Sequence, residues 1–497
     1  MTGVTGQPGA GAVVQQAADR PEQPHPGTAG PTSTKAAEQP ATDATGRLCD
    51  FVAAIRPRDL PAPVVAAAEL SLLDAVGVSL AASALDPGAR AFLDLVTDEG
   101  GRHDSTVMGR RARVPAAAAA LANGALAHAL DFEDALDGLP IHPNAQVIPA
   151  VLALAEQRDL PGDRVLAAIA VGCDVTVRLA AAAGRGVDAA GWYPPPIFGA
   201  LGSAAGCANL VGLDADGVRD ALSLALSQVT GSGQIKHSPQ SLVRGVRDSF
   251  AAHAAVRAVE LAERGITGFV DPLAGPRGFF ATYAAGDYDL ASLTDGLGAE
   301  FGGTSASYKL WPSCRGTHAF VEGALALREQ LAGEVVAIEL WGGPVCTMLA
   351  EPQEAKRRPT TAIDAKFSLP FTVATTLVHG GPTLASFSTA ALGDPAVLQM
   401  AERVTFTVDP AFTGAEHMTS GRIAVSDASG QVHTREVHAP RGSLAAPLTR
   451  AELMAKFTAC AAEAGIAPAD ARERATWLLS IGSVPAVGDE LAAVLAV

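Results

Sequence analysis

The amino-acid sequence predicts a mainly α-helical protein that also contains one separate α+β region. Apolar residues make up 48% of the 497 residues and aromatic residues only 5%. The core must therefore consist largely of Ala, Val and Leu, which favours closely packed helices. Apolar side chains recur at three- and four-residue spacing in the first half, whereas β-branched residues alternate or cluster in the second. The length leaves room for about two to four domains.

Helical periodicity extends from Leu48 to about Pro272. It predicts helices, several of which end at Gly or restart after Pro or Asp, over 64–83, 113–132, 147–157, 164–184, 197–212, 217–231 and 248–265. The small residues of GALGSAAG, within 197–212, favour close approach of two helix backbones. Residues 1–46 have almost no large apolar side chains and are predicted to form a disordered arm.

After Pro272 the pattern changes to a mixture of strands and helices. Four segments bounded mostly by turn residues predict strands over 335–343, 403–410, 421–427 and 431–439. Helical stretches lie between them at 318–331 and 371–381. The chain returns to helix over 449–466, where Thr449 begins a Thr-x-x-Glu pattern typical of a capping box.

Charge and cysteine usage narrow the possible functions. The net charge is −16, from 36 Lys and Arg against 52 Asp and Glu, and such a chain repels nucleic acid and anionic membrane at long range. The six cysteines show no CxxC spacing, which is typical of reduced thiols in a cytosolic protein. The chain has neither a signal-like N-terminus nor a run of about 18 strongly apolar residues. We expect a soluble, cytoplasmic protein with no nucleic-acid or membrane partner.

The stretch AHALDFEDALDGLPIHP, from Ala127 to Pro143, is the first candidate for chemistry. A predicted helix ends in a run of acidic residues that includes Asp131, and a loop then presents His142. Pro143 restricts the backbone of His142 and so helps to aim its imidazole. A histidine near carboxylates suits a general base or acid. A solvated acidic turn with one surface histidine, or a metal site, would have the same pattern.

The stretch KLWPSCRGTH is the second candidate. Lys309 could bind a carboxylate as a point charge. If a helix begins near Ser313, Cys314 and His318 lie on one face, and the helix N-terminus adds affinity for anions. Half of a zinc site has this pattern too, but no second Cys/His pair is nearby. A capped helix with a buried thiol and a hydrogen-bonded histidine is the structural alternative.

A third, weaker candidate joins KHSPQSL, which begins at Lys236, to RGVRDS, which begins at Arg244. Basic residues at a helix start oppose the helix dipole, so they favour an anionic partner. An ordinary exposed loop explains the same residues.

Taken together, these stretches resemble the MmgE/PrpD family, which includes 2-methylcitrate dehydratases, cis-aconitate decarboxylases and iminodisuccinate epimerases. The resemblance extends from about Leu48 to the C-terminus and rests on motifs in a fixed order, among them NGALAHALDFEDA, IHPNAQVIPAVLALAE, FGALGSAAGCANLVG, KLWPSCRGTH and AKFSLPF. It implies a homodimer that needs neither metal nor organic cofactor and acts on a small carboxylic acid.

The resemblance also implies a division of the chain into two domains. A large all-helical domain would comprise 47–272 and be completed by C-terminal helices at 445–497. A smaller α+β lid domain, 273–444, would be inserted between these two parts, and the pocket would lie between the domains. This division agrees with the change of pattern at Pro272.

Matched by position, the family's functional residues correspond to Asp131, His142, Lys309 and His318. His142 would transfer the proton, Asp131 would orient it, and Lys309 with His318 would neutralise the substrate anion. The chain departs from the family pattern elsewhere. Tyr193 stands where the family often has a histidine, and it is a candidate second acid. In the family's KxLHxG segment, Gln240 replaces the lysine and Val243 replaces the histidine. Cys314 stands where decarboxylases have a histidine, Ala135 where threonine is frequent and Phe371 where tyrosine is frequent.

The expected activity is that of a cofactor-independent lyase, most simply a dehydratase (a carbon–oxygen lyase similar to 2-methylcitrate dehydratase). Decarboxylation or epimerisation of the same substrate class remains an alternative, as does a silent relative that only binds a ligand. Each lost charge-assisted contact costs on the order of 1.5–3 kcal/mol, so a tricarboxylate is disfavoured as substrate. A less charged substrate from a specialised pathway is at least as plausible. The substrate would contact Cys314, Gln240, Arg244 and Lys236.

Overall fold

The computed structural model describes residues 43–238 and 241–497. Almost all of the predicted arm, and Gln240, therefore lie outside the described residues. The first helix begins at Ala44, two residues before the predicted end of the arm at 46. The side chain of Asp43 accepts a hydrogen bond from the backbone N–H of Gly46 and so caps this helix.

The first part of the chain is helical, as its periodicity predicts. Its helices are α1 (Ala44–Ala54), α2 (Ala62–Leu85), α3 (Pro87–Glu99), α4 (Ala116–Ala129), α5 (Pro143–Arg158), α6 (Gly162–Ala183), α7 (Gly186–Ala189), α8 (Pro194–Val211), α9 (Ala215–Leu226), α10 (Val243–Val246) and α11 (Asp248–Ala262). Two short strands, β1 (Ser105–Thr106) and β2 (Arg113–Val114), pair between α3 and α4. The seven predicted helices are confirmed to within a few residues, although α4 begins and α9 ends well inside the predicted ranges.

Small side chains allow the central helices to pack closely. A Cβ atom added to Gly202 of α8 would lie 1.9 Å from the hydroxyl of Thr176 on α6, so the GALGSAAG stretch does bring two helix backbones together. Helices α2 and α6 are long and apolar enough to cross a membrane, but 72% and 89% of their most apolar windows are buried inside the protein. Both are core helices of the fold.

Strand β3 (Asp134–Leu136) lies between α4 and α5 and pairs with β4 (Ala306–Tyr308) of the second part of the chain. The second part also contains β5 (Val335–Gly342), β6 (Val404–Val408), β7 (Gly421–Asp427) and β8 (Val432–Val437), together with mostly short helices. These last four strands form a sheet in the order β6-β5-β7-β8, in which only the β5–β6 pair is parallel. The helices are α12 (Phe279–Tyr283), α13 (Ala291–Thr294), α14 (His318–Arg328), α15 (Thr347–Ala350), α16 (Gln353–Arg357), α17 (Ala362–Lys366), α18 (Leu369–His379), α19 (Thr389–Leu392) and α20 (Pro395–Ala401).

The change of sequence pattern at Pro272 does not coincide with a change of core. Leu273, Phe279 and Leu293 are buried in the large helical core, and the ring of Phe279 lies 5.9 Å from that of Phe198 on α8. The separate core beneath the four-stranded sheet includes Phe320 and residues after it. The side chains that follow Pro272 therefore pack on the helices that precede them, and the division of the chain at 273 stays a prediction.

The C-terminal helices α21 (Arg450–Glu463), α22 (Pro468–Leu478) and α23 (Gly488–Leu495) follow the sheet. The capping box predicted at Thr449 is confirmed, since its hydroxyl and Glu452 exchange hydrogen bonds with each other's backbone. Phe457 of α21 is buried against Gly77 of α2, where an added Cβ would lie 2.9 Å from the ring. The end of the chain thus packs on the first helical core. Whether the α+β region acts as a lid remains a prediction.

Candidate active site

The loop between α4 and α5 carries the acidic run and His142. Asp131, directly after the helix end, has φ of +49°, in the left-handed region that Asp tolerates better than most residues. Strand β3 then pairs antiparallel with β4, with Asp134 opposite Tyr308. This pairing brings Lys309, the residue after Tyr308, beside the acidic run.

Two lysines from distant parts of the chain bind backbone carbonyls of this loop. Lys366 of α17 donates to the carbonyl of Leu130, and Lys456 of α21 donates to the carbonyl of Phe132 at 2.7 Å. Lys456 also forms a 2.7 Å ion pair with Asp74 of α2. Cations suit the free carbonyls at the end of a helix, so these contacts fix the path of the loop.

Lys309 joins two carboxylates in a fully buried cluster. Its ammonium lies 2.5 Å from Asp131 Oδ1 and 3.0 Å from Glu133 Oε1. Burial opposes ionisation of Glu133, but His128 and Lys309 outweigh it and hold the pKa well below its usual range. Burial likewise opposes ionisation of Asp131, yet Lys309 keeps the pKa of that carboxyl below normal. The sequence-predicted pair of Asp131 and Lys309 is thus brought together, with Glu133 as a third member.

His142 has one ring nitrogen held by the backbone and the other without a partner among the described residues. It is the N-cap residue of α5, with Pro143 at the first helical position, and its Nδ1 lies 2.7 Å from the carbonyl oxygen of Asp134. A carbonyl only accepts, so Nδ1 must carry the proton, which leaves the lone pair on Nε2. No described residue hydrogen-bonds to Nε2, and the side chain is 18% exposed. Burial lowers the pKa of His142 to about 4, against the opposing effect of Glu133, so the imidazole is neutral near pH 7.

Glu133 Oε1 is the centre of the cluster. It accepts from His128 Nδ1 at 2.6 Å and lies 3.2 Å from His142 Nδ1. His128, Glu133 and His142 also have the spacing of three metal ligands. The donor set fits a cation poorly, because the Lys309 ammonium occupies the same oxygen and His142 Nδ1 donates its proton to a carbonyl. The arrangement suits proton handling better.

Lys366 adds a cation with an unusual pKa. Burial lowers the pKa of this lysine to about 8, although the nearby charge of Asp131 acts in the opposite direction. A lysine with a pKa near neutrality is suited to donate a proton or to lose its charge within the working pH range. AKFSLPF contributes to the family resemblance, but nothing in that motif singles out its lysine.

The KLWPSCRGTH segment differs from the sequence prediction. No α-helix begins at Ser313; instead a single 3₁₀ turn covers Arg315–Thr317, and α14 begins at His318. Cys314 and His318 therefore do not share a helix face, and the predicted anion site at the helix start does not form there. The local chain is held by Arg315, which donates to Asp137 and to two backbone carbonyls.

His318 is fully buried, and both of its ring nitrogens are occupied. Arg315 Nη1 donates to Nδ1 at 3.2 Å, and Nε2 donates to the carbonyl of Ser313 at 3.3 Å. Burial, reinforced by the charge of Arg315, lowers the pKa of His318 well below normal. A neutral histidine with both nitrogens in use suits a structural role. Its predicted role in anion binding stays a prediction.

Cys314 is only partly buried and lies beside the cluster. Burial raises the pKa of its thiol to about 11, and Asp131 adds to this shift. The thiol is therefore protonated at neutral pH. Its backbone N–H donates to the carbonyl of Lys366 at 3.0 Å, which links the KLWPSCRGTH segment to α17.

The remaining predicted residues have different surroundings. Lys236 forms an ion pair with the partly exposed Asp188, and the guanidinium of Arg244 lies 3.7 Å from the ring centre of Phe367. Tyr193 caps α8 and is 8% exposed. Sequence reasoning did not single out the contributions of Glu133, Lys366, Lys456 and Arg247. Of these, Glu133 lies within the first candidate stretch and Arg247 within RGVRDS, whereas Lys366 and Lys456 lie outside the stretches chosen for their chemistry.

Acids, cations and a neutral histidine that are buried together in a helical fold are suited to proton transfer. Comparison with known families identifies the class of protein. The MmgE/PrpD N-terminal domain matches residues 46–291, and the MmgE/PrpD C-terminal domain matches residues 311–479. The chain belongs to the MmgE/PrpD family, as its motifs predict.

The curated proteins that resemble this chain are named as cis-aconitate decarboxylases or as a protein like them. The chain is 26% identical over 439 residues to a "cis-aconitate decarboxylase-like protein oryM" of Aspergillus oryzae, covering 84% of this chain and 90% of that protein. It is 27% identical over 371 residues to human cis-aconitate decarboxylase, covering 72% and 76%. The Aspergillus terreus cis-aconitate decarboxylase is 24% identical over 442 residues, covering 83% and 88%.

Proposed function

We propose that this protein is a lyase that acts on a small carboxylic acid by removing a proton from the carbon beside a carboxylate. The observation that supports this proposal most strongly is His142, whose Nε2 is unprotonated and whose Nδ1 proton is held by the Asp134 carbonyl. A neutral imidazole with a free, partly exposed nitrogen is suited to accept a proton near pH 7. No metal or organic cofactor is needed for this step.

The proposed dehydration has a simple balance. His142 Nε2 takes the proton from carbon, the electron pair forms the new carbon–carbon double bond, and the hydroxyl on the adjacent carbon leaves as water with a proton from an acid. Lys366, with a pKa of about 8, is the better acid candidate, and Tyr193 is the second. Until it gives up its proton, the charge of Lys366 stabilises the negative charge that develops on the substrate.

Decarboxylation is the second candidate, favoured by the names of the relatives. There the carbon–carboxylate bond breaks, carbon dioxide leaves, and the electron pair left on carbon takes up a proton. That reaction needs a proton donor, and His142 with a pKa of about 4 is a poor one at neutral pH. Lys366 would have to supply the proton. Cys314, where decarboxylases have a histidine, also favours dehydration.

The test is proton NMR in D₂O containing EDTA, with citrate, 2-methylcitrate, cis-aconitate, malate-type and iminosuccinate-type acids as substrates. We expect at least one acid to exchange deuterium at the carbon beside its carboxylate or to form an alkene with release of water. Carbon dioxide release would instead favour the second candidate. The His142→Gln protein should lose the reaction while a His253→Gln protein retains it. Equal activity of both variants would remove His142 from the mechanism.

A further inference from the structure

Arg247 is the N-cap residue of α11 and is only 3% exposed. Its Nη1 donates to the carbonyl of Arg244 at 2.6 Å, and its guanidinium lies 5.1 Å from the ring centre of Tyr193. Asp248 Oδ1 lies 3.8 Å from Nε, beyond hydrogen-bond distance. That oxygen already accepts from the side-chain amide of Gln146 at 2.6 Å.

Two donors of this guanidinium remain unused. Nε and Nη2 of Arg247 are buried and have no hydrogen-bond partner among residues 43–238 and 241–497. These two nitrogens form one edge of the guanidinium plane, the edge that matches the two oxygens of a carboxylate. Burying a cation without full pairing is costly. Such a group is a candidate for ligand binding.

The surroundings of Arg247 connect a cavity to the acid–base cluster. Arg247 and Tyr193 line a cavity of about 400 Å³, whose wall also includes Gln228, Thr230 and Ser232. On its other side, the turn that holds Arg247 packs on the end of α4, where the loop with the cluster begins: a Cβ atom added to Gly245 would lie 3.7 Å from the Cα atom of Ala129. Burial opposes the charge of Arg247, but Asp248 and, more weakly, Glu133 and Asp131 raise its pKa. A ligand that enters this cavity would meet Arg247 near the proposed base.

We infer that Arg247 is the residue that binds a substrate carboxylate, through Nε and Nη2, and that it holds the substrate between the cavity and His142. This inference rests on the proposed function, because it assigns the anion contact of the same site. It replaces the sequence prediction that Arg244 or Lys236 supplies this charge. Arg244 packs on Phe367, and Lys236 is paired with Asp188.

The size and charge of the site point to the class of substrate. One guanidinium edge binds one carboxylate in two contacts. Lys309 is paired with two carboxylates and Lys456 with one, whereas Lys366 forms no ion pair with a carboxylate among residues 43–238 and 241–497. We therefore expect a dicarboxylate, or a monocarboxylate with a polar second group, to bind more tightly than a tricarboxylate. The hydroxyls and amides lining the cavity suit a polar substituent.

The experiment measures binding separately from turnover. Calorimetric titrations with maleate, citraconate, malate and cis-aconitate as probes would be carried out on the full chain and on Arg247→Gln and Arg247→Lys. Arg257→Gln is the matched control, because Arg257 lies on the same helix with a side chain 48% exposed and paired with Glu260. We expect Arg247→Gln to weaken the best dicarboxylate roughly ten- to a hundredfold, Arg247→Lys to be intermediate, and Arg257→Gln to bind like wild type.

Thermal unfolding without ligand distinguishes binding from structural support. Arg247→Gln also removes the cation 3.8 Å from Asp248, so some fall in the unfolding temperature is expected; a role in substrate binding shows as a loss of probe affinity in protein that is still folded at the titration temperature. A lower unfolding temperature with unchanged probe affinity would mean that Arg247 serves the fold by pairing with Asp248, and it would overturn the inference. So would wild-type protein that shows no saturable binding of any probe.

Failure of the inference and of the proposed function have different signatures. If Arg247→Gln binds the probes like wild type while wild-type protein still exchanges deuterium, only the role of Arg247 is wrong. If probe binding depends on Arg247 but wild-type protein neither exchanges deuterium nor forms product, the site binds carboxylates without the proposed chemistry. His142→Gln should retain probe affinity in either case.

Discussion

The loop from Leu130 to His142 and the segment from Lys309 to His318 each contain titratable side chains and one histidine, but they use them differently. In the segment, Lys309 is neutralised by two carboxylates, and both nitrogens of His318 are occupied. In the loop, His142 uses one nitrogen for orientation and keeps the other free beside a partly exposed surface.

The difference shows how one motif supports another. A side chain can take part in chemistry only if it keeps a donor or acceptor for the substrate, whereas a supporting side chain gains stability by using all of them. By this criterion the segment around Lys309 fixes the loop, and the loop carries the reacting group. Predictions that compare the two regions can test this division of roles.

The largest effect is expected on turnover when the free nitrogen is removed. His142→Gln keeps a polar side chain but lacks the basic nitrogen, so kcat should fall about 10²-fold or more. The unfolding temperature should change little, because the side chain is partly exposed. Steady-state kinetics with the best acid from the NMR panel would measure this change. A kcat within a few-fold of wild type would contradict the assignment of His142 as the base.

The second effect is on stability and belongs to the Lys309 segment. Lys309→Met leaves Asp131 and Glu133 as buried carboxylates without their shared cation, and breaking a buried pair in this way costs about 3–5 kcal/mol. Chemical denaturation would measure the loss. Exposed Lys236→Met is the control, since surface ion pairs contribute about 0–1 kcal/mol. Equal losses in the two variants would show that the buried cluster does not stabilise the fold.

His318→Gln should have a smaller effect, again on stability. It disturbs two buried hydrogen bonds, which costs roughly 1–3 kcal/mol when a partner is left unsatisfied. Because both nitrogens of His318 contact the protein, kcat of the folded variant should fall much less than in His142→Gln. Kinetics at a temperature well below unfolding would compare the two variants directly. A loss of kcat as large as that of His142→Gln would restore the sequence-predicted catalytic role of His318.

The sequence predicts the helices and strands well because periodicity is a local property. It does not reveal that Phe279 and Leu293 join the large helical core, because that core forms only when distant helices meet. Local sequence pattern at Pro272 contains no information on which core these side chains join.

The same distinction applies to the candidate site. Asp131, His142 and Lys309 lie in motifs whose residue types suggest chemistry, and the structure brings Asp131 and Lys309 together. Lys456 binds a carbonyl 324 residues away, and Lys366 one 236 residues away. A backbone carbonyl has no side-chain signature in the sequence, so these contacts could not be predicted from it.

The smallest expected effect is a change in pH dependence, and it concerns Lys366. If the free His142 must be unprotonated, kcat/KM should fall as pH decreases through its pKa of about 4. If Lys366 must be charged, kcat/KM should fall as pH increases through its pKa of about 8, reaching about a tenth of the plateau one pH unit higher.

Lys366→Arg separates the charge of this residue from its ability to titrate. Arginine stays protonated at every accessible pH, so the alkaline decrease in kcat/KM should move to higher pH while the acid decrease stays in place. Lys366→Gln should lower kcat/KM across the whole range, because the charge is absent at every pH. If Lys366 also donates the proton to the leaving group, the maximum kcat/KM of Lys366→Arg should fall below that of wild type, while its alkaline decrease still moves to higher pH. If the alkaline decrease in kcat/KM stays near pH 8 in Lys366→Arg, that decrease belongs to another titrating group. Lys366 would then serve only to hold the carbonyl of Leu130.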